Sequence, residues 1–306
     1  MLNVADKFKA IISQMLVNTT GNGLITAANV YQEGKPDNKN LLKQIVNDLM
    51  LPGSRLQGLE NLAELYKKAK QGESCLILME HYSNFDIPCF YELMEREGEK
   101  GITIAQKIVS VAGSKLSETN RIVRSFAEIF TRVVIIPQSA SQDLKDPEEM
   151  RAISEKRKHI NMAALKTLFR LRKSGRIILV FPAGTRYRSW DPESKRGLKD
   201  IDSYLKSYKN IVFIAINGNV LIPQKKSLTE DLVSHDIMLY TVSRVYDGRK
   251  FREKAREMAP EGSDLRQFAV DRVMEELGRI HGQAEEIRRS LKKELLKEEL
   301  REKQDS

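Results

Sequence analysis

The spacing of apolar residues changes near residue 74. Before it, the spacing is helical. Phe8, Ile11, Ile12, Met15 and Leu16 share one face of 4–17, and Leu59, Leu62, Leu65 and Tyr66 share one face of 59–70. A third helix is predicted over 41–50, stopped by Pro52-Gly53, and Gln71-Gly72 closes the helix before it, as a glycine just past a helix does. Residues 19–23 and 34–38 read as turns. After residue 74, short apolar runs alternate with amphipathic stretches. Strands are predicted over 75–79, 102–104, 133–136, 177–181, 212–216 and 237–245. Helices are predicted over 88–97, 114–130, 148–173, 198–207 and 265–280. This alternation predicts an α/β fold with a mixed, largely parallel sheet covered by helices on both faces, preceded by a small N-terminal helical domain. The run 177–181 is apolar throughout, so it is expected at the sheet centre. The expected division is a helical domain over 1–70, an α/β domain over 71–282 and a charged C-terminal helix over 283–306. The stripe Ile287, Leu291, Leu295 and Leu296 predicts weak packing of that last helix on the body.

Composition narrows this picture. The chain has 306 residues, 41% hydrophobic and 30% charged, which suits one large globular domain or a large and a small one. No run approaches the roughly 18 apolar residues of a membrane span. The first residues, Met1 to Lys7, lack a basic segment followed by an apolar core, so no secretory signal is expected. Two cysteines, Cys75 and Cys89, are too few for a disulfide framework and predict a reducing, cytoplasmic compartment. The histidines, His81, His159, His235 and His281, show no metal-ligand spacing, which argues against a metal hydrolase. A net charge of +9 is compatible with nucleic acid, anionic lipid or an acidic protein as partner, and does not choose among them.

Two stretches carry candidate chemistry, each directly after a predicted strand. The first is Glu80-His81-Tyr82-Ser83-Asn84-Phe85-Asp86. Ligands bind at strand ends in α/β sheets. Asp86 can fold back onto one imidazole nitrogen of His81, leaving the other to take a proton from an alcohol. The alternative is a turn in which His81 fills space and Asp86 caps the next helix. The second stretch is Phe181-Pro182-Ala183-Gly184-Thr185-Arg186-Tyr187-Arg188. Gly184 allows a tight turn, and Arg186 and Arg188 share a face of an extended segment. Two guanidinium groups aimed at one point would bind a phosphate monoester, whereas the alternative is a solvated basic loop. Placed at one sheet edge, a base and a phosphate cradle describe an enzyme acting on a phosphorylated alcohol.

His81-x4-Asp86, followed about a hundred residues later by Phe-Pro-Ala-Gly-Thr-Arg, resembles the glycerolipid acyltransferase superfamily, whose signatures are N-H-x4-D and F-P-E-G-T-R-S. The loop with Arg186 and Arg188 is similar to the P-S-G-G-R-D-R loop of the soluble plastid-type glycerol-3-phosphate acyltransferases. The lead-in Glu60 to Met79, the segment Val111-Ala112-Gly113, the stretch Ser125 to Val133 and the block Val212 to Ile216 fit the same pattern. Glu80 stands where the family has Asn, Ala183 where it has Glu, and Phe213 where it has Pro; Pro137 to Ser141 lacks the Lys-Lys-His of the plastid type. The resemblance implies acyl transfer from a thioester, on coenzyme A or acyl carrier protein, to a hydroxyl of glycerol 3-phosphate, giving lysophosphatidate. It implies His81 as general base, Asp86 as its orienter, and Arg186, Arg188, Gly184, Thr185 and Arg132 as phosphate-binding, without metal or cofactor, because the thioester co-substrate is already activated. Peripheral contact with the inner membrane surface is an associated expectation. Acylation of 1-acylglycerol 3-phosphate is the nearest alternative. A non-catalytic protein binding nucleic acid or lipid is another, but only Tyr187 and Trp190 lie near the arginines, so a nucleic-acid partner is not expected.

Overall fold

The computed structural model describes residues 1–20, 23–114, 120–137, 146–225 and 230–304. Among them the strands are β1 (Tyr31–Gln32), β2 (Arg55–Gln57), β3 (Cys75–Met79), β4 (Ile108–Gly113), β5 (Arg132–Ile135), β6 (Ile177–Val180), β7 (Asn210–Asn217), β8 (Leu221–Ile222), β9 (Leu232–Val233), β10 (Leu239–Val242) and β11 (Tyr246–Asp247). The helices are α1 (Val4–Lys7), α2 (Lys9–Asn18), α3 (Lys39–Leu49), α4 (Leu59–Lys70), α5 (Asp86–Arg96), α6 (Gly98–Ala105), α7 (Arg121–Ala127), α8 (Pro147–Leu171), α9 (Ile201–Ser207), α10 (Gly248–Glu257) and α11 (Leu265–Gln304).

One nine-stranded sheet runs in the order β1-β5-β4-β6-β3-β7-β10-β2, with β11 on β7. Its central members β5, β4, β6, β3 and β7 are mutually parallel, whereas β1 pairs antiparallel with β5 and β10 antiparallel with β7; β2 then pairs parallel with β10. This is the α/β, largely parallel sheet that the alternating pattern predicts. β3, β6 and β7 are buried at every position, as strands covered on both faces must be.

Side-chain alternation divides the core in two. Cys75, Ile77 and Met79 of β3 face a layer that includes Met15 of α2, Ile45 of α3, Leu62 of α4 and Phe90 of α5. Leu76 and Leu78 face the other layer, built on Ile160 and Leu168 of α8, Leu205 of α9 and Val273 of α11. The N-terminal helices thus share one apolar cluster with the sheet, and β1 and β2 from the same segment are sheet members.

Several expected elements differ. Residues 102–104 lie in helix α6, not in a strand; Gly101 lets α6 lie tight against α5, because a Cβ there would sit 1.9 Å from the Met94 carbonyl oxygen. The strand of this region is β4, whose apolar run is broken by Ser110 and Gly113 and so escapes the pattern. The helix expected over 114–130 is α7 alone in the described part, capped by Asn120, whose side chain accepts from the amides of Ile122 and Val123. The stretch 4–17 is two helices that meet at Phe8, and the strand expected over 237–245 shrinks to Leu239–Val242. The strongly charged α10 carries no apolar run to announce it. The helices expected over 265–280 and 283–306 are one continuous helix, α11.

Gly218 ends β7 with φ +92°, and a Cβ there would lie 2.2 Å from the Ile237 carbonyl oxygen. Gly218→Ala is expected to lower unfolding free energy by about 2 kcal/mol or more, because the backbone must shift as well as adopt a strained φ. Urea titration of the purified variant checks this.

Candidate active site

The loop after β3 takes its shape from one carboxylate. The ladder runs one residue past the strand, with the Glu80 amide donating to the Ile214 carbonyl at 3.0 Å. The chain then turns so that Asp86 becomes the first residue of α5. Asp86 does not cap its own helix. It folds back, and its Oδ2 accepts from the Tyr82 amide at 2.6 Å, the Ser83 amide at 3.0 Å and His81 Nδ1 at 2.8 Å. Its Oδ1 accepts from the Ser83 hydroxyl at 3.0 Å, and the Ser83 oxygen in turn accepts from the Phe85 amide. The Tyr240 hydroxyl donates to the Asp86 carbonyl at 2.8 Å. Asp86 is 1% exposed. Because Asp86 accepts, His81 Nδ1 carries the hydrogen, and Nε2 of the neutral ring holds the lone pair.

The second loop meets the first directly. β6 is the parallel neighbour of β3, with Leu78 opposite Val180. Phe181, just past β6, stacks on the His81 ring at 3.9 Å between centroids and 12° between planes. The Tyr187 amide donates to the His81 carbonyl at 2.8 Å. The turn between them needs Gly184: its φ is +65°, its amide donates to the Phe181 carbonyl, and Leu198 packs where a Cβ would be.

The arginines separate. Arg186 pairs with the fully buried Asp231, whose other oxygen accepts from the Gln224 amide. Burial pushes the Asp231 carboxyl above the usual carboxylate range, and the Arg186 charge opposes that rise. Arg188 is more exposed; it donates to the Thr185 hydroxyl at 3.1 Å and lies 3.6 Å from Asp191. The exposed Lys195 ammonium lies 5.6 Å from the Tyr187 ring and 6.0 Å from the Tyr82 ring, beside the histidine loop. The two guanidinium groups therefore have different carboxylate partners, rather than a shared focus.

Arg132 is not brought to this site. It begins β5, level through the registers with Ile77, three strands away. It is buried, donates to the Ala127 and Phe130 carbonyls, and burial draws its guanidinium down to about 10. Residues 138–141, part of the stretch without the plastid-type Lys-Lys-His, lie outside the described residues. A cavity of about 490 Å³ lies toward the opposite sheet edge, at Ile108 and Arg176, and includes none of the loop residues named above. Burial pushes the Cys75 thiol up to about 12 and the Cys89 thiol well above its usual range, so neither is a ready nucleophile.

One cluster is absent from the sequence reading. Glu80 is 5% exposed, yet it has three partners. Its Oε1 accepts from the Tyr82 hydroxyl at 3.0 Å, and its Oε2 from the Ile216 amide at 2.9 Å and from His281 Nδ1 of α11 at 2.8 Å. Burial first, and then the adjoining Glu80, push the Tyr82 phenol well above the usual tyrosine range, so it stays a donor. The residues flanking His81 on both sides are thus tied to α11. The polar seam continues along that helix, where Glu285 accepts from Asn217 and pairs with Arg288, and Arg288 and Lys292 reach Asp236 at 2.8 and 2.6 Å. The first half of the charged tail is therefore fixed to the body by ion pairs. The only sequence signal was Glu80 itself, a charged residue at the end of an apolar strand.

Glu80→Ala is expected to cost roughly 3 kcal/mol, since it strands a buried amide, a phenol and a histidine together. Glu80→Gln, which keeps an acceptor, is expected to cost clearly less. Chemical denaturation of the two variants side by side tests the difference.

Among the described residues no helix is long and apolar enough to cross a membrane, and no cluster of His, Cys, Asp or Glu is placed to hold a metal. No curated protein matches the chain in sequence. The family model described as Acyltransferase matches residues 54–245, more than half of the 306 and a span that holds both loops. The chain belongs to the acyltransferase family.

Proposed function

We propose that the chain moves a fatty acyl group from a thioester, on coenzyme A or acyl carrier protein, to a hydroxyl of glycerol 3-phosphate, giving lysophosphatidate. The observation that carries this reading is the His81–Asp86 pair at 2.8 Å, at the end of a buried strand and inside the span matched by the acyltransferase model. Two buried, free thiols suit work in a reducing cytoplasm.

His81 Nε2 takes the proton of the acceptor hydroxyl as its oxygen attacks the thioester carbonyl. Asp86 holds the ring in the tautomer that makes Nε2 basic and stabilises the imidazolium that forms. The tetrahedral intermediate collapses with loss of thiolate, which takes the proton back from His81 as free thiol leaves. The acceptor itself is the nucleophile, so no acyl-enzyme is needed. Phe181 fixes the ring plane from one side by stacking.

For the acceptor's phosphate the geometry favours Arg188, with Lys195 beside the tyrosines that flank His81. Both lie on the loop that the Tyr187 amide fastens to His81. Thr185 and Gly184 belong to the same turn, and Thr185 orients Arg188. Arg186 serves by anchoring the loop to Asp231.

Purified protein incubated with glycerol 3-phosphate and a labelled acyl thioester should form lysophosphatidate; a parallel arm with 1-acylglycerol 3-phosphate should not match it. His81→Ala should fold normally and lose about 10²- to 10⁴-fold in kcat. Arg188→Ala should raise the KM for the acceptor about tenfold, with a smaller effect on kcat. Near-normal turnover by His81→Ala would sink the mechanism, and equal use of both alcohols would sink the acceptor assignment.

A further inference from the structure

Helix α8 has a face that the catalytic loops do not use. From Lys156 to Lys173 the sequence holds seven lysines and arginines and no aspartate or glutamate. The inner side of the helix is ordinary core: Ile160, Ala164 and Leu168 are buried against the sheet. The outer side is not polar throughout. Met162, Leu165 and Phe169 are 49%, 61% and 57% exposed, and their spacing of three and four residues makes them one stripe. At about 100° per residue, Lys158 and Lys166 fall on the same outward sector. The Arg172 guanidinium lies 3.9 Å over the Phe169 ring.

The stripe also has a fixed place relative to the chemistry. Asn161 donates to the Ile136 carbonyl at 2.9 Å and accepts from the Ile136 amide at 2.8 Å. Ile136 is the residue just past β5, so Met162 is held level with the sheet edge that carries His81. From there the stripe runs back along β5.

We propose that this face of α8 rests on an anionic lipid surface. The stripe is a convex ridge on a single helix. Large apolar side chains on such a ridge can enter the headgroup layer, and the cations from Lys156 onward meet lipid phosphates, while the carboxylate of Glu155, two turns before Met162, is paired with Arg151 at 3.7 Å. A nucleic acid would leave the apolar ridge unused. An acidic protein would answer the cations but gives no reason for three exposed apolar side chains on the same ridge. The inference goes beyond acyl transfer and does not depend on it, because vesicle binding requires no catalysis.

The test is sedimentation of the full-length protein with vesicles of phosphatidylcholine alone and of phosphatidylcholine mixed with phosphatidylglycerol. Wild type should pellet with the anionic vesicles only, and less so as salt rises. The double variant Leu165→Glu/Phe169→Glu, and separately Lys158→Glu/Lys166→Glu, should each lose roughly tenfold in partitioning. Both should keep the wild-type circular dichroism and the wild-type rate in a vesicle-free acyl-transfer assay, which reads the catalytic proposal apart from this one. Wild-type protein left in the supernatant with anionic vesicles would overturn the inference, as would a double variant that pellets like wild type. Capture by immobilised acidic acyl carrier protein without vesicle binding would overturn it in favour of a protein partner.

Discussion

The parallel pairing of β3 with β6 is the constraint on which the site depends. Two parallel neighbours end at the same sheet edge, so the chain that leaves each one can meet the other. Here they meet at once, through the ring of Phe181 on His81 and the Tyr187 amide on the His81 carbonyl. An antiparallel pair would have put the two loops about 16 Å apart, the length of a five-residue strand. The strand on the other side of β3 matters as well. β7 receives the Glu80 amide and supplies the Ile216 amide to the Glu80 carboxylate, so the residue before His81 is held from both its backbone and its side chain.

Buried carboxylates then determine which polar side chains remain for substrate. A carboxylate taken out of water must be given donors or a counter-charge. Asp86 takes two amides, a hydroxyl and His81. Asp231 takes Arg186 and the Gln224 amide. This second pairing changes the meaning of Arg186. Its charge answers a carboxylate of the protein, whereas Arg188 is less buried and bound to a hydroxyl and a partly exposed aspartate, which is why the proposed acceptor phosphate is assigned to Arg188 and not to Arg186. Two arginines two residues apart look equivalent in sequence, but their burial makes them different.

What was legible in the sequence was local or periodic. His81 and Asp86 are five residues apart, and the turn that joins them is closed by its own amides, so the heptapeptide allowed the pair beside a space-filling turn, and the Arg186–Arg188 loop and the family resemblance tipped the choice. Continuous apolar runs marked β3, β6 and β7 for the same reason that they are central: both faces are covered. β4 was missed because Ser110 and Gly113 interrupt it, while two isoleucines in 102–104 imitate a strand inside a helix packed tightly on α5. Nothing periodic joins Arg186 to Asp231 or Glu80 to His281. Those contacts are made only when the chain returns to the same sheet edge after long excursions, and no local pattern records them.

Glu80 shows how such a distant contact explains a local oddity. The superfamily signature that the first loop resembles has an asparagine before the histidine, and a glutamate there adds a charge in a buried position. That charge is met by the Ile216 amide, the Tyr82 hydroxyl and His281. The first two donors lie within the span matched by the family model, but His281 lies on α11, beyond its end at residue 245. The residues that follow at helical spacing, Glu285, Arg288 and Lys292, are committed to Asn217 and Asp236 of the body, which fixes α11 where His281 can reach. The unusual residue beside His81 and the long C-terminal helix are therefore one feature. A glutamate at that position is stable because the helix is there, and the helix is held against the sheet edge that carries His81 in part because the glutamate is.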